Sequence, residues 1–218
     1  MSQSTKTRLS VFGVKPDNAI IVPELPLNVR NNCQSGKWTI GDDEYGSKIE
    51  IAILKFSKFF GSLGQTSNTI WGQVWFVAES GELPKNVVMV TYVKGRSLRD
   101  FSRLIASVQS RGFEPAEGVF TPEFIKHSGQ RPDETGTIKP INYYSLKWNW
   151  TERNDWSMVE KVAAVLEEKS NHSLMVDLEG TSQMICIDNL PPHQVAELMG
   201  ATKDNDSEKM LMSADQTF

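Results

Sequence analysis

The stretch VVMVTYVKGRSLRDFSRLI, Val87 to Ile105, limits the fold more than any other feature of this chain. It opens as a run of strand-forming residues and becomes helical within a few positions. Ser97 reads as an N-cap with Asp100 three residues on. Leu98, Phe101, Leu104, Ile105 and Val108 then recur at helical spacing until Gly112 closes the segment. Strand signals lie on both sides of this helix, so its apolar face has to pack on a sheet.

Ahead of it come WTIGDDEYG, a short strand with an acidic turn, then KIEIAILKFSKFF (Lys48 to Phe60), a long strand, and TIWGQVWFVAE. GSLGQTSNT and SGELPKN between them are turn-rich. The long strand changes phase. Ile49, Ile51 and Ile53 share one face while Leu54, Phe56 and Phe60 belong to the other, which predicts a bulge or sharp bend. After the helix follow GVFTPEFIKHS and INYYSLKWNW, joined by the polar loop GQRPDETGTIKP. The last strand sets Tyr144, Leu146, Trp148 and Trp150 against Tyr143, Ser145, Lys147 and Asn149. Three strands, a helix and two strands, with a long bent first strand, predict a mainly β (α+β) protein. The expected architecture is a five-stranded OB-like Greek-key barrel that binds its ligand across the second and third strands.

Residues 1–36 read as an extended N-terminal segment along the sheet edge, because Pro16, Pro23 and Pro26 rule out a long helix there. The barrel would take residues 37–153. Residues 154–200 read as a small α/β element: the helix WSMVEKVAAVLEEK, a hairpin of LMVDL and QMICI around EGTS, and the short helix LPPHQVAELMG. It would pack on the barrel or form a homo-oligomer contact. Residues 201–218 read as an acidic flexible tail ending in Phe218.

A chain of 218 residues with 39% hydrophobic content can bury one core of ordinary size. No window approaches the roughly 18 apolar residues of a membrane span, and the N-terminal MSQSTKTRLSVFG has no apolar run of signal-peptide length, so a cytoplasmic protein without membrane contact is expected. Cys33 and Cys186 show no metal-ligand spacing and are expected to remain thiols. The net charge of −4 is unevenly distributed: residues 1–84 carry 8 Lys and Arg against 8 Asp and Glu, residues 85–153 carry 11 against 7, and residues 154–218 carry 4 against 12. A basic middle beside an acidic end suits a polyanion-binding surface with a competing or partner-recruiting region.

The tract VTYVKGRSLRDF and the succession EGVFTPEFIKHSG then NYYSLKWNW resemble phage- and plasmid-type single-stranded-DNA-binding proteins of the OB-fold, over roughly residues 38–153. The chain is also similar to uncharacterised bacterial proteins of comparable length. The resemblance implies non-sequence-specific binding of single strands in replication or recombination, and no catalytic residues. The tail resembles those of replicative single-strand binders, acidic and closing on a hydrophobic residue, which makes Phe218 a candidate for docking partner proteins.

Single strands need cations beside a shallow groove and flat side chains for base stacking. On the strands the candidates are Lys55, Lys58, Trp71, Trp75, Tyr92, Lys94, Lys126, Tyr143 and Lys147. Arg96, Arg99 and Arg103 decorate the start of the helix. Tyr92, Lys94 and Arg96 would combine one stacked base with one phosphate. A strand Trp is more often core, and helix arginines more often solvate an exposed face. The rival reading is a protein-interaction module in which the same aromatics are hot spots. No enzyme reading rises above these: His127, His172 and His193 lack metal-ligand spacing, and GxxxxGK[ST] and GxSxG are absent, leaving a nuclease with dispersed carboxylates as the alternative. No metal or other cofactor is expected, and the ligand would be single-stranded DNA, or RNA.

Overall fold

The computed structural model describes residues 9–10, 13–14, 19–23, 26–64, 66–132, 136–168 and 184–200. Short strands come first. β1 (Leu9–Ser10) and β2 (Gly13–Val14) pair with each other, β3 (Leu27–Asn28) joins the main sheet, and β4 (Arg30–Asn32), β5 (Lys37–Ile40) and β6 (Asp43–Tyr45) form a separate three-stranded sheet. The main sheet is built from β7 (Glu50–Leu63), β8 (Thr66–Ser80), β9 (Val88–Lys94), β10 (Gly118–Pro132) and β11 (Ile138–Glu152), with α1 (Gly95–Ser110) between β9 and β10. Then come α2 (Ser157–Glu167), β12 (Met184–Cys186) and a helix, α3, over residues 192–200.

The chain is mainly β, but the five-stranded barrel does not form. The main sheet is a mixed sheet of seven strands in the order β11-β10-β7-β8-β9-β3, with β12 also on β7, and β9 and β11 are not joined by a ladder. The reason is where the edge donors of β11 go. Leu146 N–H donates to Ser97 Oγ (2.9 Å), Trp148 N–H to Asp100 Oδ2 (2.7 Å), and Tyr144 N–H to the Cys33 carbonyl (2.7 Å). The first turns of α1 and the β4–β5 turn therefore occupy the edge that a closing strand would need. β9 meanwhile takes β3 in parallel, pairing Leu27 with Met89 and Asn28 with Val90. Leu27–Asn28 thus runs along that edge, and Ile21 makes a single bridge to Val87.

This also moves the helix start. Ser97 and Asp100, expected to cap α1, bond across to β11 instead, and α1 begins at Gly95 behind Lys94 with no side-chain cap. Gly95 takes φ +55°, a left-handed turn that lets a strand become a helix within one residue.

β8 is buried on both faces, from Trp71 to Ala78. On one face Val74 and Phe76 meet Phe101 of α1 and Phe120 and Trp148 of the β10–β11 hairpin. Gly72 lets α1 approach closely, since a Cβ there would lie 2.7 Å from Leu98 Cδ1. On the other face Trp75, Val77, Val88 and Val90 are covered by Val162 and Val165 of α2, and Trp71 and Phe59 by Met184 of β12. The expected bulge in β7 is present, as the register with β8 shifts between Ile53 and Lys55. Of the expected C-terminal hairpin, QMICI supplies β12, which pairs with Phe59 to Gly61 of β7, while LMVDL lies outside the described residues. GSLGQTSNT, expected as a loop, instead contributes the paired ends of β7 and β8 around Gly64.

Candidate nucleic-acid interface

Arg96, Arg99 and Arg103 recur at positions i, i+3 and i+7 of α1 and so share a face away from the buried Leu98, Phe101 and Val108. At ~1.5 Å per residue they form a stripe about 10 Å long. The second wall is the outer face of the β10–β11 hairpin, where the ladder sets Ile125 beside Ser145 and His127 beside Tyr143. Between the walls runs a groove of about 380 Å³ whose lining includes Arg96, Arg99, Asp100, Arg103, Ile125, His127, Ser145 and Lys147.

The groove is fixed by the contacts that block sheet closure. Trp148 Nε1 donates to the Ser97 carbonyl (3.1 Å), adding to the bonds that Leu146 and Trp148 amides make to Ser97 and Asp100. Asp100 is thereby engaged by a backbone amide. Among the described residues, the three arginines and Lys147 make no ion pair; Glu123 stands opposite Lys147 in the ladder without bonding to it. His127 Nε2 shares a hydrogen bond with Ser145 Oγ (2.8 Å), and its ring lies 5.1 Å from that of Tyr143 at 33°. The start of α1 adds to the positive field, having no acidic residue in its first turn.

The other residues singled out in the sequence lie elsewhere. Trp75 is fully buried and Trp71 is 7% exposed, both under the C-terminal elements, because their face of β8 is the one that α2 and β12 cover. Trp75 Nε1 donates to Gln73 Oε1 (2.8 Å) and Gln73 Nε2 to the Tyr92 hydroxyl (3.0 Å), an interior polar chain. Burial pushes the Tyr92 phenol above its ordinary pKa, against the opposing effect of the Gln73 bond. Lys94 holds its ammonium 4.9 Å from the centre of the Trp71 ring and donates to Thr66 Oγ1; burial lowers its pKa. Lys55 is half-buried on β7, and exposed Lys58 gives its backbone N–H to Asp188 Oδ1 (2.8 Å). Lys126 is exposed beside Tyr144, on the opposite side of the hairpin from the groove. Phe218 lies outside the described residues.

The structure thus brings together Arg96, Arg99 and Lys147, along with Arg103, adds Ile125 and His127, and sets Tyr143 beside His127 rather than in the groove lining. The signal for Ile125 and His127 was available in the alternation of EFIKHS, which puts them on the same face and in register with the polar face of β11. A buried ion pair had no such signal: Arg153, 6% exposed, holds Glu79 with both terminal nitrogens. Among the described residues there is no group of three or more His, Cys, Asp and Glu that could hold a metal ion, and no helix long and apolar enough to cross a membrane. No protein-family model matches the chain, and no curated protein or solved structure is significantly similar to it.

Proposed function

We propose that the protein binds single-stranded nucleic acid without sequence specificity, in the groove between α1 and the β10–β11 hairpin. The observation that carries this reading is the set of exposed cations, Arg96, Arg99, Arg103 and Lys147, that surround one groove and make no ion pair among the described residues, with Asp100 held by the Trp148 amide. Such a cluster repels itself in the free protein, and neutralising it with phosphates releases counterions from the nucleic acid. Tyr143, half-buried against His127, and exposed Ile125 offer flat and apolar surface for bases next to the phosphate contacts. A single strand can present both to one narrow groove, whereas a duplex keeps its base faces stacked inside.

The test is fluorescence anisotropy with labelled oligothymidylate of about 30 nucleotides, the matching oligouridylate and a duplex, each at several salt concentrations. Binding to single strands is expected to weaken by a slope of roughly −0.7 per phosphate neutralised. Arg99→Ala and Lys147→Ala should each remove about one such increment. Absence of binding at micromolar protein, or binding that ignores salt, would overturn the reading and turn attention to a protein partner for the same groove.

A further inference from the structure

We infer that a single strand seated in the groove continues across the start of α1 onto a second contact patch made by Lys94 and Arg30, so that the protein engages strands longer than the groove. The inference rests on the function proposed above and extends its site. Lys94 immediately precedes α1, two residues from Arg96, and both are exposed. Its ammonium is drawn against the Trp71 ring and Thr66 rather than toward an acid, and partial burial depresses its pKa.

Arg30 belongs to the same patch through the β4–β5 turn. The Cys33 thiol of that turn feels both Lys94 and Arg30, which pull its pKa down against the larger upward push of burial. The turn is anchored from two sides. Asn31 Nδ2 donates to Thr91 Oγ1 (3.1 Å) and to the Tyr92 carbonyl (2.7 Å), while the Cys33 carbonyl accepts from Tyr144 N–H (2.7 Å). It therefore bridges the end of β9 to β11 next to Tyr143, on the route from groove to patch. Among the described residues neither Arg30 nor Lys94 is paired with a carboxylate. Two exposed cations left unpaired are the contacts that a phosphate backbone would use.

Length dependence separates the two sites. Oligothymidylates of about 8 and about 24 nucleotides are titrated by anisotropy against the unmodified protein and two double variants. Arg30→Ala with Lys94→Ala is expected to raise Kd for the longer strand about tenfold and to reduce its salt slope by roughly 1.4, leaving the shorter strand unchanged. Arg99→Ala with Lys147→Ala should weaken both strands, and if it weakens neither, the groove reading itself fails. In the unmodified protein, the longer strand should slow alkylation of exposed Cys33 while the shorter one does not, with exposed Cys186 as the internal reference. Equal losses on both lengths, an unchanged long-strand affinity, or Cys33 reactivity indifferent to the longer strand would each overturn the second patch.

Discussion

At the scale of single residues, polar groups taken out of water decide more than the apolar ones around them. Arg153 is the sharpest case: its guanidinium is almost fully enclosed and grips Glu79 with two nitrogens, while its Nε finds no partner among the described atoms. Removing one member of such a pair leaves the other charge stranded. Glu79→Ala is therefore expected to cost about 3–5 kcal/mol in urea unfolding, and the double replacement Glu79→Met with Arg153→Met distinctly less. Tyr92 makes a second prediction, about pH. Its phenol holds its proton more tightly in the folded chain than in the unfolded one, chiefly through burial. The unfolded state then loses the proton first, so this contribution to stability is complete below the ordinary phenol range and is lost as pH rises through and beyond it. In Tyr92→Phe the Gln73 bond is gone at every pH, but the alkaline fall in stability should be shallower; an identical fall would remove Tyr92 from its cause. Neither residue announces these roles in the sequence. ERND around Arg153 looks like a solvated turn, and only the fold brings Glu79, 74 residues away, beside it.

At the scale of elements, most of the architecture was legible because periodicity and punctuation are local properties. The alternation of INYYSLKWNW fixed both faces of β11, and the phase slip of KIEIAILKFSKFF marked the β7 irregularity. What failed was the cap of α1, because Ser97 and Asp100 satisfy a local rule and a distant strand competes for the same oxygens. Ser97→Ala should leave the buried Leu146 amide without an acceptor, at a cost of about 1–3 kcal/mol. The measurement that identifies this role is amide hydrogen exchange: protection should drop at Leu146, and a drop confined to the first turn of α1 would restore the capping role. Gly118 is a comparable constraint from close approach. A Cβ there would lie 2.0 Å from Trp150 Nε1, which donates to the Pro115 carbonyl. Gly118→Ala is expected to displace that indole and cost about 1–3 kcal/mol, visible as a shift in near-ultraviolet circular dichroism. β10 shows a different kind of design. Among the described residues only Phe120 pairs with β7, and further along the strand exposed Lys126 is a residue type that discourages pairing with another chain.

At the scale of the whole molecule, sequence reasoning went astray where it assigned a free face to the sheet. The row Trp71, Gln73 and Trp75 has the residue types of a stacking platform, and alternation alone cannot tell a platform from a second core face. The difference is made by elements far along the chain, α2 and β12, whose apolar residues cover that row. Once both faces of β8 are enclosed, the exposed cations of α1 and β11 remain gathered around one groove, and the candidate site moves there from the sheet. Burying side chains such as Val162 and Val165 contributes ~1.5–3 kcal/mol each, so the C-terminal elements are expected to unfold together with the sheet. Val162→Asp would place a carboxylate against Trp75, Val77 and their neighbours and is expected to destabilise the entire sheet by about 3 kcal/mol or more. Hydrogen exchange gives the decisive reading. If the enclosure is integral, amides in β8 and β9 lose protection together with those of α2; if α2 alone loses protection while β8 and β9 keep theirs, the C-terminal helix is a detachable cover and the aromatic row beneath it becomes a surface that the protein can open.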